Sequence, residues 1–372
     1  MSGSVLSLEG KALKSVLSLE GKALKLNTRA DIEPWLANVD PTKIEEIHFR
    51  DNTLGVDASL ALAEFLEKTT ILKIADFADI FTGRLISEIP LALTAICDAL
   101  KDKTSLVELN LSDNAFRSVE PMVPFLTHNR TFQVLKLNNC GLGPAAGVVL
   151  ATALLESAKL SKAEGKTSSL RTVICERNCL EDDSASAWAD AFAAHGTLQE
   201  VRMADNKIGV DGITALARGL SQCPQLQHID LQDNMFTSPF TADTDLSGIQ
   251  AWTEALKSWP ELTTLNLSDC RLSADGEVPT IITALVAGSN PKLHTLQLQN
   301  NDLMTETFLA LASGVSKMSN LMLLEVQWNN TEDDYEILET LALHLKQRGG
   351  KLIATDDDAD EEDAEDADDA EV

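Results

Sequence analysis

The residues that could do chemistry in this chain recur with a period. Asp51, Asp76, Asp113, Asn139, Arg177, Asp205, Asp233, Asp269, Asn300 and Trp328 each directly precede the asparagine-type position of a repeated leucine phrase. Six of the ten are aspartate, which sets up a column of carboxylates if the phrases stack as strands about 4.8 Å apart. Two accounts of such a column compete. Aspartate can bond the backbone of its own turn, or the column can be a docking strip for a basic partner. Self-repulsion along it costs stability, which favours a use. Asn139 and Arg177 interrupt the acids in adjacent repeats and present an amide and a cation. The competing account of that break is ordinary variation at exposed positions. Arg84 is a third candidate. It follows Gly83 in an irregular segment, 75–90, that also carries Asp79.

No catalytic constellation accompanies these residues. The six histidines (His48, His128, His195, His228, His294, His344) fall in different repeats, and no nucleophile-elbow or Walker-type motif occurs. Cys175 and Cys179 are four apart, but without a second pair or a histidine cluster they do not make a zinc site.

The elements that must position the candidates follow from the phrase itself, an apolar residue, two others, then L-x-L-x-x-N-x-L or a close variant. Its clearest copies are 106–116 (LVELNLSDNAF), 226–236 (LQHIDLQDNMF) and 293–303 (LHTLQLQNNDL). This is the pattern of a leucine-rich repeat. The fold class expected is α/β: a solenoid horseshoe of about eleven units, with parallel strands on the concave face and helices on the convex face. Such an array extends its core unit by unit, so 372 residues need not divide into ordinary globular domains. The asparagine-type position falls at Asn52, Phe77, Asn114, Cys140, Asn178, Asn206, Asn234, Cys270, Asn301 and Asn329, with Phe77 as the exception. The regular interval is 28 residues, and 37, 38 and 36 separate 77–114, 140–178 and 234–270. The second and third long intervals read as solvated loops on the convex side, near 160–169 and 237–247. The first places its extra residues directly after a strand, on the rim. Ile213, Leu216, Leu220 and Cys223 have the spacing of a helix with one buried face.

Residues 4–14 (SVLSLEGKALK) recur unchanged at 15–25. Only one copy can cap the array, and the second, which runs into the first helix, is expected to do so. The domains expected are a duplicated extension (1–15), the repeat domain (16–354) and a disordered acidic tail (355–372). Residues 356–372 contain twelve acids and no base, and the rest still holds 46 acids against 30 bases. That balance argues against nucleic acid and anionic membranes and for a basic protein partner. No stretch reads as a signal peptide or a membrane span, and the six cysteines sit mostly at apolar repeat positions. A reduced, cytoplasmic monomer without cofactor is the expectation.

The rim segment ADFADIFTGRLISEIP (75–90) resembles the signature segment of the Ran GTPase-activating protein family, fungal form included. LEGKALKL (19–26), LNNCGLGP (137–144), ICERNCLE (174–181) and the acidic tail are also similar to that family. The resemblance implies an activator of GTP hydrolysis by Ran, acting in trans, with GTP and Mg²⁺ belonging to the partner. It implies a cytoplasmic, perinuclear role in nucleocytoplasmic transport, with an accessory Ran-binding protein as a further partner. Asn139 matches the family's asparagine that orders the GTPase's own machinery. Arg84 matches an essential arginine, read either as a finger toward the phosphoryl group or, as the family implies, as a support for the interface or the loop. Arg177 is carried over as a contact beside Asn139. Asp79, Asp113, Asp205, Asp233 and Asp269 are the expected contacts for Ran's basic surface. Ile86 stands where the family often has a lysine. The extra C-terminal domain of animal members is not expected here. The rival reading is a passive scaffold or inhibitor of the ribonuclease-inhibitor type, which has no need of the Thr82-Gly83-Arg84 rim.

Overall fold

The computed structural model describes residues 15–116, 118–238, 244–273, 276–330 and 335–355. The whole first copy of the duplicated segment (4–14) and the acidic tail from 356 onward lie outside these residues, as does 239–243 of the polar loop.

The repeated element is a short strand whose middle residue is buried and whose flanking residues face the other side of the sheet, as period-two alternation requires. Leu109, Leu135, Val173, Ile229 and Leu296 are such middle residues, fully or almost fully buried. Burying each leucine contributes about 2 kcal/mol. Each strand turns sharply into a helix-bearing return, and the chain forms two compact units, 1–178 and 179–372.

The first unit runs β1 (Ser15–Ser18), β2 (Lys25–Leu26), α1 (Arg29–Leu36), β3 (Ile44–His48), β4 (Thr53–Leu54), α2 (Val56–Glu67) and β5 (Ile74–Asp76). It continues with α3 (Ile89–Leu100), β6 (Glu108–Asn110), α4 (Val123–His128), β7 (Val134–Lys136), α5 (Gly143–Ala163) and β8 (Thr172–Ile174). Its main sheet has the order β1-β3-β5-β6-β7-β8, and every neighbouring pair is parallel. β2 and β4 form a small parallel pair of their own beside the rim. β1 and β2 come from the second copy of the duplicated segment and its continuation.

The second unit runs α6 (Glu181–His195), β9 (Glu200–Arg202), α7 (Val210–Leu220), β10 (His228–Asp230), α8 (Ser247–Ala255), β11 (Thr264–Asn266) and α9 (Thr280–Val286). It ends with β12 (Thr295–Gln297), α10 (Thr305–Gly314), β13 (Leu323–Glu325), α11 (Tyr335–Lys346) and β14 (Lys351–Ile353). Its strands are parallel in the order β9 to β14. Successive helices pack on one another, and α7 shows how closely. Ile213, Leu216 and Leu220 are buried, and a Cβ at Gly219 would lie 2.4 Å from the Ala189 carbonyl oxygen of α6. Both units are thus open parallel sheets flanked by helices, the leucine-rich-repeat α/β solenoid class, with about eleven repeats between them.

The asparagines weld neighbouring repeats. Buried Asn114 donates from Nδ2 to the carbonyls of Phe77, Leu111 and Ser112, while its Oδ1 accepts from the Ile80 N–H. Cys140 repeats the role with its thiol, which donates to the carbonyls of Leu111 and Asn138. Burial pushes that thiol up to about 12, so it stays protonated and donating. Losing such a residue would strand buried carbonyls at about 1–3 kcal/mol each.

One expected register is corrected by the strand pairing. Asp76 pairs with His48 and with Asn110, each four residues before its repeat's asparagine. The asparagine-type position of this repeat is therefore Ile80, and the residue before it is Asp79 rather than Asp76. Phe77 is a core residue, fully buried against Phe49 at 6.1 Å between ring centroids. The interval from Asn52 becomes the regular 28, and the insertion on the rim begins after Ile80. A second difference concerns 140–178. Much of its extra length extends α5, a 21-residue helix that includes part of the expected loop.

Candidate interaction site

Every residue that precedes an asparagine-type position adopts a left-handed backbone. In the first unit φ is +61° at Asp51, +45° at Asp79, +60° at Asp113, +51° at Asn139 and +57° at Arg177. In the second it is +49° at Asp205, +54° at Asp233, +57° at Asp269, +48° at Asn300 and +57° at Trp328. Aspartate and asparagine tolerate this region best among residues with a side chain. The corner that turns each strand therefore accounts by itself for the recurrence of these two types. Arg177 and Trp328 are the costly choices. Both are exposed, Trp328 to 63 %.

In the first unit the corner residues are wired together. Exposed Asn139 donates from Nδ2 to Oδ1 of Asp113 at 3.1 Å, and its N–H donates to the Glu176 carbonyl at 2.9 Å. Arg177 is thus on the strand end next to Asn139. The Asp113 Oδ2 lies 3.6 Å from Arg50 Nη2, and Arg50 Nε lies 3.8 Å from Asp51 Oδ1. Arg50 is a cation among the corner carboxylates, and its place in the cluster was not expected from sequence. Its position two residues before Asn52 was the available signal.

Arg84 is half-buried and held by four hydrogen bonds. Its Nε donates to Thr53 Oγ1 at 2.7 Å, Nη1 to Asn27 Oδ1 at 2.8 Å, and Nη2 to the carbonyls of Thr53 at 2.8 Å and Leu26 at 3.4 Å. The guanidinium therefore ties β2 to β4. Thr53 Oγ1 in turn donates to the Thr82 carbonyl at 2.9 Å, and Thr82 Oγ1 donates to Asp79. Gly55 makes room, since a Cβ there would meet the Asn27 carbonyl at 2.6 Å and Arg84 Nη1 at 3.1 Å. Beyond this clamp Leu85 and Ile86 are exposed to 66 % and 53 %, an apolar pair on the rim.

In the second unit Asp205, Asp233 and Asp269 occupy successive corners. Asp269 accepts from Asn300 Nδ2 and from Gln232 Nε2, the latter at 3.2 Å. Burial, then the charges of Asp205 and Asp269, raise the Asp233 carboxyl above its ordinary range. The corner carboxylates of this unit therefore interact electrostatically. Among the described residues no group of three or more His, Cys, Asp or Glu could hold a metal ion, and no helix is long and apolar enough to cross a membrane. The arrangement offers docking and hydrogen-bond positioning.

Leucine-rich repeat models match residues 196–217 and 261–285. Over 352 residues the chain is 33 % identical to Ran GTPase-activating protein 1 of Saccharomyces cerevisiae, covering 91 % of this chain and 81 % of that protein. The chain belongs to the Ran GTPase-activating protein family. It is also 42 % identical over 210 residues to Ran GTPase-activating protein 1 of Xenopus laevis, covering 55 % of this chain and 34 % of that protein. The Ran GTPase-activating protein of Drosophila melanogaster is 36 % identical over 208 residues, 54 % of this chain and 35 % of its own length. The chain thus spans about a third of these two animal relatives and most of the yeast one. Within a Ran GTPase-activating protein, the wired corner at Asn139 and the clamp at Arg84 are the parts of the first unit that bring candidate residues together.

Proposed function

We propose that this chain binds Ran in its GTP form through its strand-end corners and rim, and speeds GTP hydrolysis in trans. Homology supports a part in Ran regulation and nucleocytoplasmic transport. The observation that carries the finer reading is the carboxamide of Asn139. It is exposed and its Nδ2 donates to Asp113, so that Oδ1 is the end we assign to the partner as a hydrogen-bond acceptor.

Hydrolysis in such GTPases needs a side-chain amide held against the attacking water. The carbonyl oxygen of Asn139 accepts from the partner's catalytic amide and holds it in one orientation. The gain is positional, so this chain needs no catalytic centre, cofactor or metal of its own, and GTP and Mg²⁺ come with the partner. Arg84 is better suited to holding the rim than to reaching the nucleotide, because moving it would sacrifice the four hydrogen bonds that tie β2 to β4. Arg177, Asp79 and Asp113 contribute to the docking surface of the first unit, and Asp205, Asp233 and Asp269 to that of the second. The acids steer a basic partner toward the site. The proposal extends to a fungal-type, cytoplasmic and perinuclear activator that works as a monomer, with an accessory Ran-binding protein as a second partner.

Single-turnover hydrolysis by GTP-loaded Ran, with and without the chain, tests this. Acceleration that saturates with chain concentration is expected. Binding without acceleration would instead establish the passive scaffold.

A further inference from the structure

We infer that Asp113, held by Arg50, is a positioning residue that sets which end of the Asn139 carboxamide meets the partner. The inference rests on the proposed role of Asn139. An amide has two nearly isosteric ends, one donating and one accepting, and an exposed asparagine ordinarily samples both. A carboxylate accepts hydrogen bonds and does not donate them. With Asp113 Oδ1 at 3.1 Å, Asn139 must turn its NH₂ toward Asp113 and its oxygen away from it. The flipped amide would press its oxygen against the carboxylate.

Arg50 makes this one-way. Its Nη2 sits 3.6 Å from the other oxygen of Asp113, and its Nε sits 3.8 Å from Asp51. It offsets repulsion between the corner acids and keeps Asp113 from turning Oδ1 away from Asn139. The neighbouring acid Asp79 is occupied differently, by the hydroxyl of Thr82. Asp113 thus acts through Asn139, not on the nucleotide.

The test is a set of variants in single-turnover hydrolysis by Ran, with maximal rate and half-saturating concentration read separately. Glycine suits the left-handed corners at both positions, so Asp113→Gly and Asn139→Gly remove side chains without backbone strain. Asp113→Gly is expected to lower the maximal rate about tenfold with a smaller change in half-saturation. Asp113→Gly/Asn139→Gly should be no slower than Asn139→Gly alone. Arg50→Ala, a change at an exposed side chain, should lose about threefold in maximal rate, and only when Asn139 is present. A purely docking or structural Asp113 would raise half-saturation, leave the maximal rate intact and combine multiplicatively with Asn139→Gly. That result overturns the inference. Failure of the wild-type chain to accelerate Ran, or of Asn139→Gly to slow it, would instead overturn the reading on which the inference rests.

Discussion

Asn139 and Asp113 occupy equivalent left-handed corners of adjacent repeats and are joined by a single hydrogen bond of 3.1 Å. The bond engages the amide nitrogen of Asn139 and not its oxygen. The same backbone corner that turns each strand therefore also presents the polar group on which the proposed activity depends.

Arg84→Ala is expected to destabilise the first unit. It removes four hydrogen bonds that tie β2 and β4 together, at a cost of about 2 kcal/mol. Arg84→Lys should recover little, because an ammonium cannot reproduce the planar fork. Thermal melting checks this, and wild-type melting of Arg84→Ala would show that the clamp does not hold the rim.

Trp328 places a large exposed side chain at a left-handed corner. Trp328→Asn should raise stability by about 1 kcal/mol, because asparagine adopts that backbone at less cost. Urea unfolding would show the midpoint moving up with an unchanged slope. A lower midpoint would mean that the tryptophan makes up the strain through packing.

Asp233 makes stability depend on pH with a definite sign. Its folded-state pKa is raised by burial and by Asp205 and Asp269. Its contribution is therefore most favourable below the unfolded carboxylate range and is lost as pH rises through the raised value. At neutral pH the charge is a cost. Asp233→Asn should raise the melting temperature at pH 7 by roughly 1–2 °C, with the advantage disappearing in the acid range. An advantage that persisted at low pH would rule out the electrostatic cause.

Much of the fold was legible because leucine spacing and asparagine corners are local signals. The local signal fails in the repeat at 74–80. Ile80 replaces the asparagine there, the core residue Phe77 lies three positions earlier, and only the strand pairing places Asp79 at the corner. The aspartate column was visible, but its left-handed backbone was not, and that backbone explains the choice of residue without any partner. Arg84 was legible as a candidate and its engagement was not, since its acceptors lie 31 to 58 residues away in the chain. The contact of Arg50 with Asp113 likewise exists only once strands stack.

The most direct measurement is single-turnover GTP hydrolysis by Ran at saturating wild-type chain and at saturating Asn139→Gly. The account predicts strong acceleration by the wild type and a loss of at least about tenfold in maximal rate for the variant, with half-saturation changed by less than about threefold. No acceleration by the wild type would contradict the proposed activity, and an Asn139→Gly chain as fast as wild type would contradict the role given to the amide.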